Sequence, residues 1–105
     1  MPGSSLAVGI IASAAALTVG LAAVSTASVL GQRLAGAADA AALAAADAAS
    51  GAVTGVPCER AAQVAEASGA LIVGCDLDGL IATVTVSARF GVLTAAARAR
   101  AGPPS

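Results

Sequence analysis

The chain has 105 residues, the size of one small unit, with 58% apolar residues, 32 alanines and one aromatic side chain, Phe90. Charged residues make up only 10%, against roughly 25% in ordinary soluble domains, the net charge is −1, and His, Lys, Tyr, Trp and Asn are absent. This balance supplies no basic patch or stacking platform for nucleic acid, no His or Lys to activate a serine and a poor donor set for zinc. It therefore argues against an enzyme, a cofactor or a small-molecule substrate, and for a membrane-associated structural protein.

Residues 1–32 carry no charged side chain. Residues 6–30, LAVGIIASAAALTVGLAAVSTASVL, form an apolar run longer than the roughly 20 residues that cross a hydrocarbon core. Ser13, Thr18, Ser25, Thr26 and Ser28 can return their hydroxyls to the preceding helical turn. Gly9 and Gly20 are of a type common in membrane helices. The expectation is a retained transmembrane segment over residues 1–32. A cleaved secretory signal is the rival; its apolar region would be about 7–15 residues after a basic start, and residues 1–5 contain no Lys or Arg.

Residues 33–50 continue as helix, because alanine is the best helix former and only Gly36 interrupts the run. A helix over residues 6–50 would extend roughly 65 Å at 1.5 Å per residue, so its excess must leave the bilayer or pack on neighbours. Small residues recur every three or four positions: Ala12, Ala16, Gly20, Ala23, Ala27, Gly31, Ala35, Ala38, Ala42, Ala45 and Ala49. Such a stripe lets helix backbones approach closely, and helix–helix packing is the expectation, with Ala16, Gly20, Ala23, Ala27 and Gly31 at its centre. In so alanine-rich a chain a stripe also arises from composition alone. Asp39 and Asp47 lie about two turns apart, to solvate one face or to meet Arg33 of a neighbouring subunit.

Residues 51–57 read as a Gly/Pro linker, and residues 58–105 as a small α+β domain. Residues 58–68 form a helix that Pro57 starts and Gly69 stops, with Ala61, Val64, Ala65 and Ser68 on one face. Residues 71–77 and 80–86 then flank Asp78-Gly79, a strong hairpin signal. A two-residue Asp-Gly turn pairs Leu77 with Leu80, Cys75 with Ala82, Val73 with Val84 and Leu71 with Val86, and makes one wholly apolar face. The opposite face then carries Gly74, Asp76, Thr83, Thr85 and two isoleucines. Asp76 and Asp78 lack the spacing and terminal Glu of a calcium loop.

Cys75 falls on the apolar face and Cys58 begins the helix that packs there. The expectation is a Cys58–Cys75 disulfide, worth roughly 3 kcal/mol in a thin core, with free core thiols or a metal or redox role as the alternatives. A disulfide implies an oxidising compartment and places residues 33–105 outside the cytoplasm. Arg33 alone, read by the positive-inside rule, would place them inside. The tail is ambiguous over residues 92–101; alternating Ala97-Arg98-Ala99-Arg100-Ala101 favours a third antiparallel strand over a helix, ended by Pro103-Pro104.

The order of Gly3-Ser4, an apolar helix, QRLAGAADAAALAAA at residues 32–46, CERAA at residues 58–62, the Cys-bearing strand at residues 69–75 and Ala-Arg-Ala-Arg-Ala-Gly-Pro at residues 97–103 resembles the actinobacterial TadE-like proteins of Flp-type, tight-adherence pilus systems. The resemblance implies a minor pilin or pseudopilin. Such a subunit has a membrane-anchoring N-terminal helix and a small domain outside the cell membrane. Its implied partners are the membrane, other pilin-like subunits and the Tad assembly platform. It also implies a prepilin-peptidase cut after Gly3, although the pattern's Glu five residues on is Val8 here. Two readings stand beside it, a secreted binding module released by signal peptidase and a small membrane regulator with a cytoplasmic domain.

Overall fold

In the computed structural model the described residues are 2–103, and for residues 2 and 20–27 the backbone alone is described. Helix α1 runs Pro2–Ser50 and helix α2 Pro57–Ala67; strands β1 (Leu71–Asp78), β2 (Ile81–Phe90) and β3 (Leu93–Ala101) follow. The order is α+β, and the strands form one antiparallel sheet in the order β1-β2-β3. The chain divides into two units, Met1–Leu30 and Gly31–Ser105, and α1 contributes to both.

The first unit is a helical stretch on which Leu6, Val8, Ile10, Ile11, Leu17 and Val19 are all well exposed. Ser13 Oγ donates to the Gly9 carbonyl and Thr18 Oγ1 to the Ala14 carbonyl, one turn back along the helix. Among the described residues, no helix is long and apolar enough to cross a membrane. The expected span runs through residues 20–27, whose side chains lie outside the described residues. The described apolar side chains before them, residues 3–19, fall short of the roughly 20 that a crossing requires.

In the second unit, Leu34, Ala37, Ala38, Ala41, Ala42, Ala45 and Ala46 are buried. Their spacing of three and four residues is one face of a 3.6-residue helix. They join Ala61 and Ala65 of α2, Ala70, and Ala82, Val84, Val86 and Ala99 of the sheet in one core cluster. Val84 and Val86 are the largest fully buried side chains. Alanine dominates this core, so most of what α1 contributes to it is single methyl groups. This corrects part of the expected stripe: Ala38, Ala42 and Ala45 are buried within the unit, whereas Ala35 is exposed.

Glycines set the boundaries. Gly51 ends α1 at φ 83°, with its N–H donating to the Ala48 carbonyl. Pro57 is the first residue of α2, and Glu59 lies in its first turn, where a carboxylate suits the helix dipole. At the other end Ala70 N–H donates to the Ala65 carbonyl and Gly69 N–H to the Glu66 carbonyl, with Gly69 at φ 78°. This is a Schellman cap, whose left-handed residue glycine adopts without strain. Ser68, expected on the packed face of α2, is exposed instead, because it sits in that cap.

The sheet keeps the expected strands but shifts their register by two residues. Asp78 pairs with Ile81, Leu77 with Ala82 and Cys75 with Val84, so the turn residues are Gly79-Leu80 rather than Asp78-Gly79. Gly79 takes φ 62° at the first turn position, where glycine is favoured in one of the tight hairpin turns. A two-residue shift preserves the faces, and Ala82, Val84 and Val86 remain inside. A bulge between Ile72 and Gly74 then changes the pairing to Ile72 with Val86 and Leu71 with Ser87. The bulge overturns the expected inward placement of Leu71 and Val73: both are exposed, and Ile72 packs against the core. Within the ambiguous tail Leu93–Ala101 is strand, with β3 pairing along β2 from Phe90–Leu93 to Ala82–Ala101.

Candidate functional site

A disulfide staples the junction of α2 and β1. Cys58 stands at the second residue of α2 and Cys75 on the inner face of β1, joined as a disulfide with Cα atoms 6.0 Å apart. Both are partly buried. The bridge fastens the helix's N-terminal end to the edge strand, while the Schellman cap fastens the other end. Nearby, Arg60 Nε donates to the Thr54 carbonyl at 3.0 Å and holds the loop between the helices. Gly55, at φ 134°, lets that side chain pass; a Cβ there would lie 3.0 Å from Arg60 Nε.

The expected cut position, Gly3, and the residues expected to pack against other subunits lie along α1. Gly3 lies in the first turn of α1, exposed, with nothing within 4 Å of where a Cβ would be. Ala16, Gly31 and Asp39 are exposed, and Gly20, Ala23 and Ala27 lie outside the residues whose side chains are described. The described members thus remain available to a neighbour, which distinguishes them from the alanines consumed by the unit's own core. Asp47 is half-buried and lines a shallow groove with Ala44, Val53, Arg60, Gln63 and Val64.

Among the described residues no cluster of His, Cys, Asp or Glu converges in a metal-holding arrangement. No described buried side-chain nitrogen or oxygen lacks a hydrogen-bond partner. The sheet's outer face is polar, with Asp76 beside Thr83 and Arg100 in one cross-strand row, and Thr85 and Arg98 in the next. These side chains are spread along exposed strands rather than gathered into a cleft.

One feature escaped the sequence reading. The β2–β3 hairpin ends in Phe90-Gly91-Val92-Leu93, with Gly91 at φ 65°, Val92 96% exposed and Leu93 70% exposed. The Phe-Gly-Val-Leu tetrapeptide was open to recognition as a Gly-x turn like Gly79-Leu80, but the ambiguity of the tail over helix and strand hid it.

Set against protein-family models, curated proteins and solved structures, the chain matches none of them.

Proposed function

We propose that the chain is a structural, minor pilin-like or pseudopilin-like subunit of a Tad (Flp-type) pilus or a related secretion machine. Residues 6–30 anchor it in the cell membrane and residues 33–105 lie outside the cytoplasm. The observation that carries this reading is the exposure of large apolar side chains on the first unit, in a stretch with no charge through residue 32. At 100° per residue Leu6, Ile11 and Val19 point in widely different directions, so one partner groove would not cover them. Left in water, such a surface is an aggregation site; in lipid it is at home. The crossing takes in residues 20–27, whose sequence, GLAAVSTA, continues the apolar run.

Two further features support the reading. The Cys58–Cys75 bridge suits an oxidising compartment. The exposed Gly3-Ser4 link is open to a peptidase, and Ala16 and Gly31 offer small exposed positions for close helix packing. No residue acts as a catalyst in this reading.

The test is mass spectrometry of the protein's N-terminus from membrane and medium fractions of its native host. A membrane-bound chain that retains residues 6–30 is expected, and a start at Ser4 would identify peptidase processing despite Val8. A chain in the medium that starts between residues 15 and 35 would overturn the anchor in favour of a secreted module.

A further inference from the structure

We infer that the sheet extends from copy to copy of this chain: the free edge of β3 pairs, in parallel, with the free edge of β1 on a second copy, and Arg100 of one meets Asp76 of the next. The contact goes beyond the reading above, because it concerns residues 71–101 alone and holds whether or not residues 6–30 lie in lipid. The sheet order β1-β2-β3 leaves β1 and β3 each with one unpaired edge. Among the described residues, the backbone hydrogen bonds outside the helices and the sheet reach neither strand. On such an edge the N–H and C=O of alternate residues point outward without a partner.

Charge selects which edges meet. Strand β1 carries Asp76 and Asp78 and no base, and β3 carries Arg98 and Arg100 and no acid. Asp76 is in register with Thr83 and Thr83 with Arg100, on the face opposite the buried Ala82 and Val84. One row of the outer face thus ends in a carboxylate on one edge and a guanidinium on the other. The two stand two strand spacings apart, roughly 10 Å. Pairing β3 with β3 of a second copy gathers arginines, and pairing β1 with β1 gathers carboxylates; like charges disfavour both. Such charges blunt an edge against its own kind. Pairing β3 with β1 sets opposite charges side by side, so the occupant of each edge is the other edge of a second copy.

The strand directions suit this pairing. Strands β1 and β3 each run antiparallel to β2, so they are parallel to one another. A copy displaced sideways by the width of the sheet sets its β1 parallel to the first copy's β3, with the rows continued in register. Four consecutive rows are unbroken, from Gly74–Thr85–Arg98 to Leu77–Ala82–Ala101. The bulge of β1, between Ile72 and Gly74, comes before them. Beyond it, Leu71 is in register with Ser87 and Ser87 with Ala96. The small Ala96 of one copy therefore lies beside Leu71 of the next, a side chain 62% exposed in the single chain. Because the two surfaces differ, the contact adds copy after copy rather than stopping at a pair. So short a pairing is weak alone and operates where copies are held close together.

The chain contains no Lys, so R100K supplies a single side-chain amine and keeps the charge. Full-length R100K, half of it labelled with heavy nitrogen, is purified in mild detergent, concentrated and treated with a carbodiimide, which joins an amine only to a carboxylate it touches. The expected product is an amide between position 100 of one chain and Asp76 of another, read by mass spectrometry as linked peptides that combine the two isotopes. Its yield is expected to exceed coupling to Asp39 and Glu59, both exposed on the helices, by at least about fivefold. The exchanged chain, D76K with R100E, is expected to give the same linkage in comparable yield. Linked peptides of a single isotope would place the amide within one chain and overturn the proposal. Coupling spread evenly over the exposed carboxylates would mark random collision and overturn it too, as would the absence of any linkage. Loss of the linkage in the exchanged chain would overturn charge as the selector of the edges. None of these failures touches the anchor, which the N-terminus in the membrane fraction tests separately.

Discussion

Ala41 has no exposed surface, and neither have Ala38 and Ala45. At each, a single methyl group sits where α1 meets the rest of its unit, and the small volume sets the spacing. A larger side chain must push helix and sheet apart or adopt a strained rotamer, which typically costs about 1–3 kcal/mol. Ala41→Leu is therefore expected to lower unfolding stability by about that amount in urea titration. Ala40→Leu, one residue away on the exposed face, is expected to change it by less than about 0.5 kcal/mol. Equal effects at the two sites would mean that helix propensity, not close approach, governs this segment. The alanine periodicity announced close packing in advance, but periodicity says only which face is covered. The expectation was helix–helix packing, but alanine fits a sheet as well as another helix, and Ala38, Ala42 and Ala45 are in the core cluster with α2 and the sheet.

The elements themselves were largely legible: helix from uninterrupted alanine, a stop at Gly69 and strands from alternation on either side of glycine. Two details of the sheet were not. Asp78-Gly79 signals a turn, but so does Gly79-Leu80; the choice depends on where φ turns positive, and the same residues offer glycine as the first or second turn position. The bulge at Val73 has one local mark, Gly74 inside the strand, but Leu71, Ile72 and Val73 are equally apolar, so the sequence does not say which of them turns inward, and only Ile72 packs against the core. The Cys58–Cys75 pairing survived the register shift because moving by two residues kept Cys75 on the inner face. The bridge closes a loop with a sequence separation of 17 across α2 and the start of β1. Reduction, or C58S with C75S, is expected to destabilise the second unit by about 3 kcal/mol in the chain-entropy account. Denaturant titrations of the full chain with and without reductant check this. A loss below about 1 kcal/mol would show that the Schellman cap and the alanine contacts hold α2 on β1 without the staple.

The second unit holds a small core of alanine and valine, and the sequence places an apolar segment before it. Of the 25 residues from 6 to 30, ten are Leu, Ile or Val and the rest are small or hydroxylated. At about −0.3 to −0.6 kcal/mol each near the bilayer centre, those ten supply roughly 3–6 kcal/mol of insertion free energy. An arginine there costs about 2.5–3.5 kcal/mol on the same scale and also removes a leucine. One charge at Leu17, near the middle of the segment, thus offsets about half or more of the insertion term. L17R is expected to move most of the protein from the carbonate-resistant membrane fraction to the soluble or aggregated fraction. L43R introduces the same charge at an exposed leucine outside the segment and is expected to leave the distribution unchanged. Retention of L17R alongside wild type would mean that the segment is held by protein contacts rather than by lipid, and the anchor would have to be sought in a partner subunit. Loss of both variants would instead trace the effect to added charge anywhere in α1.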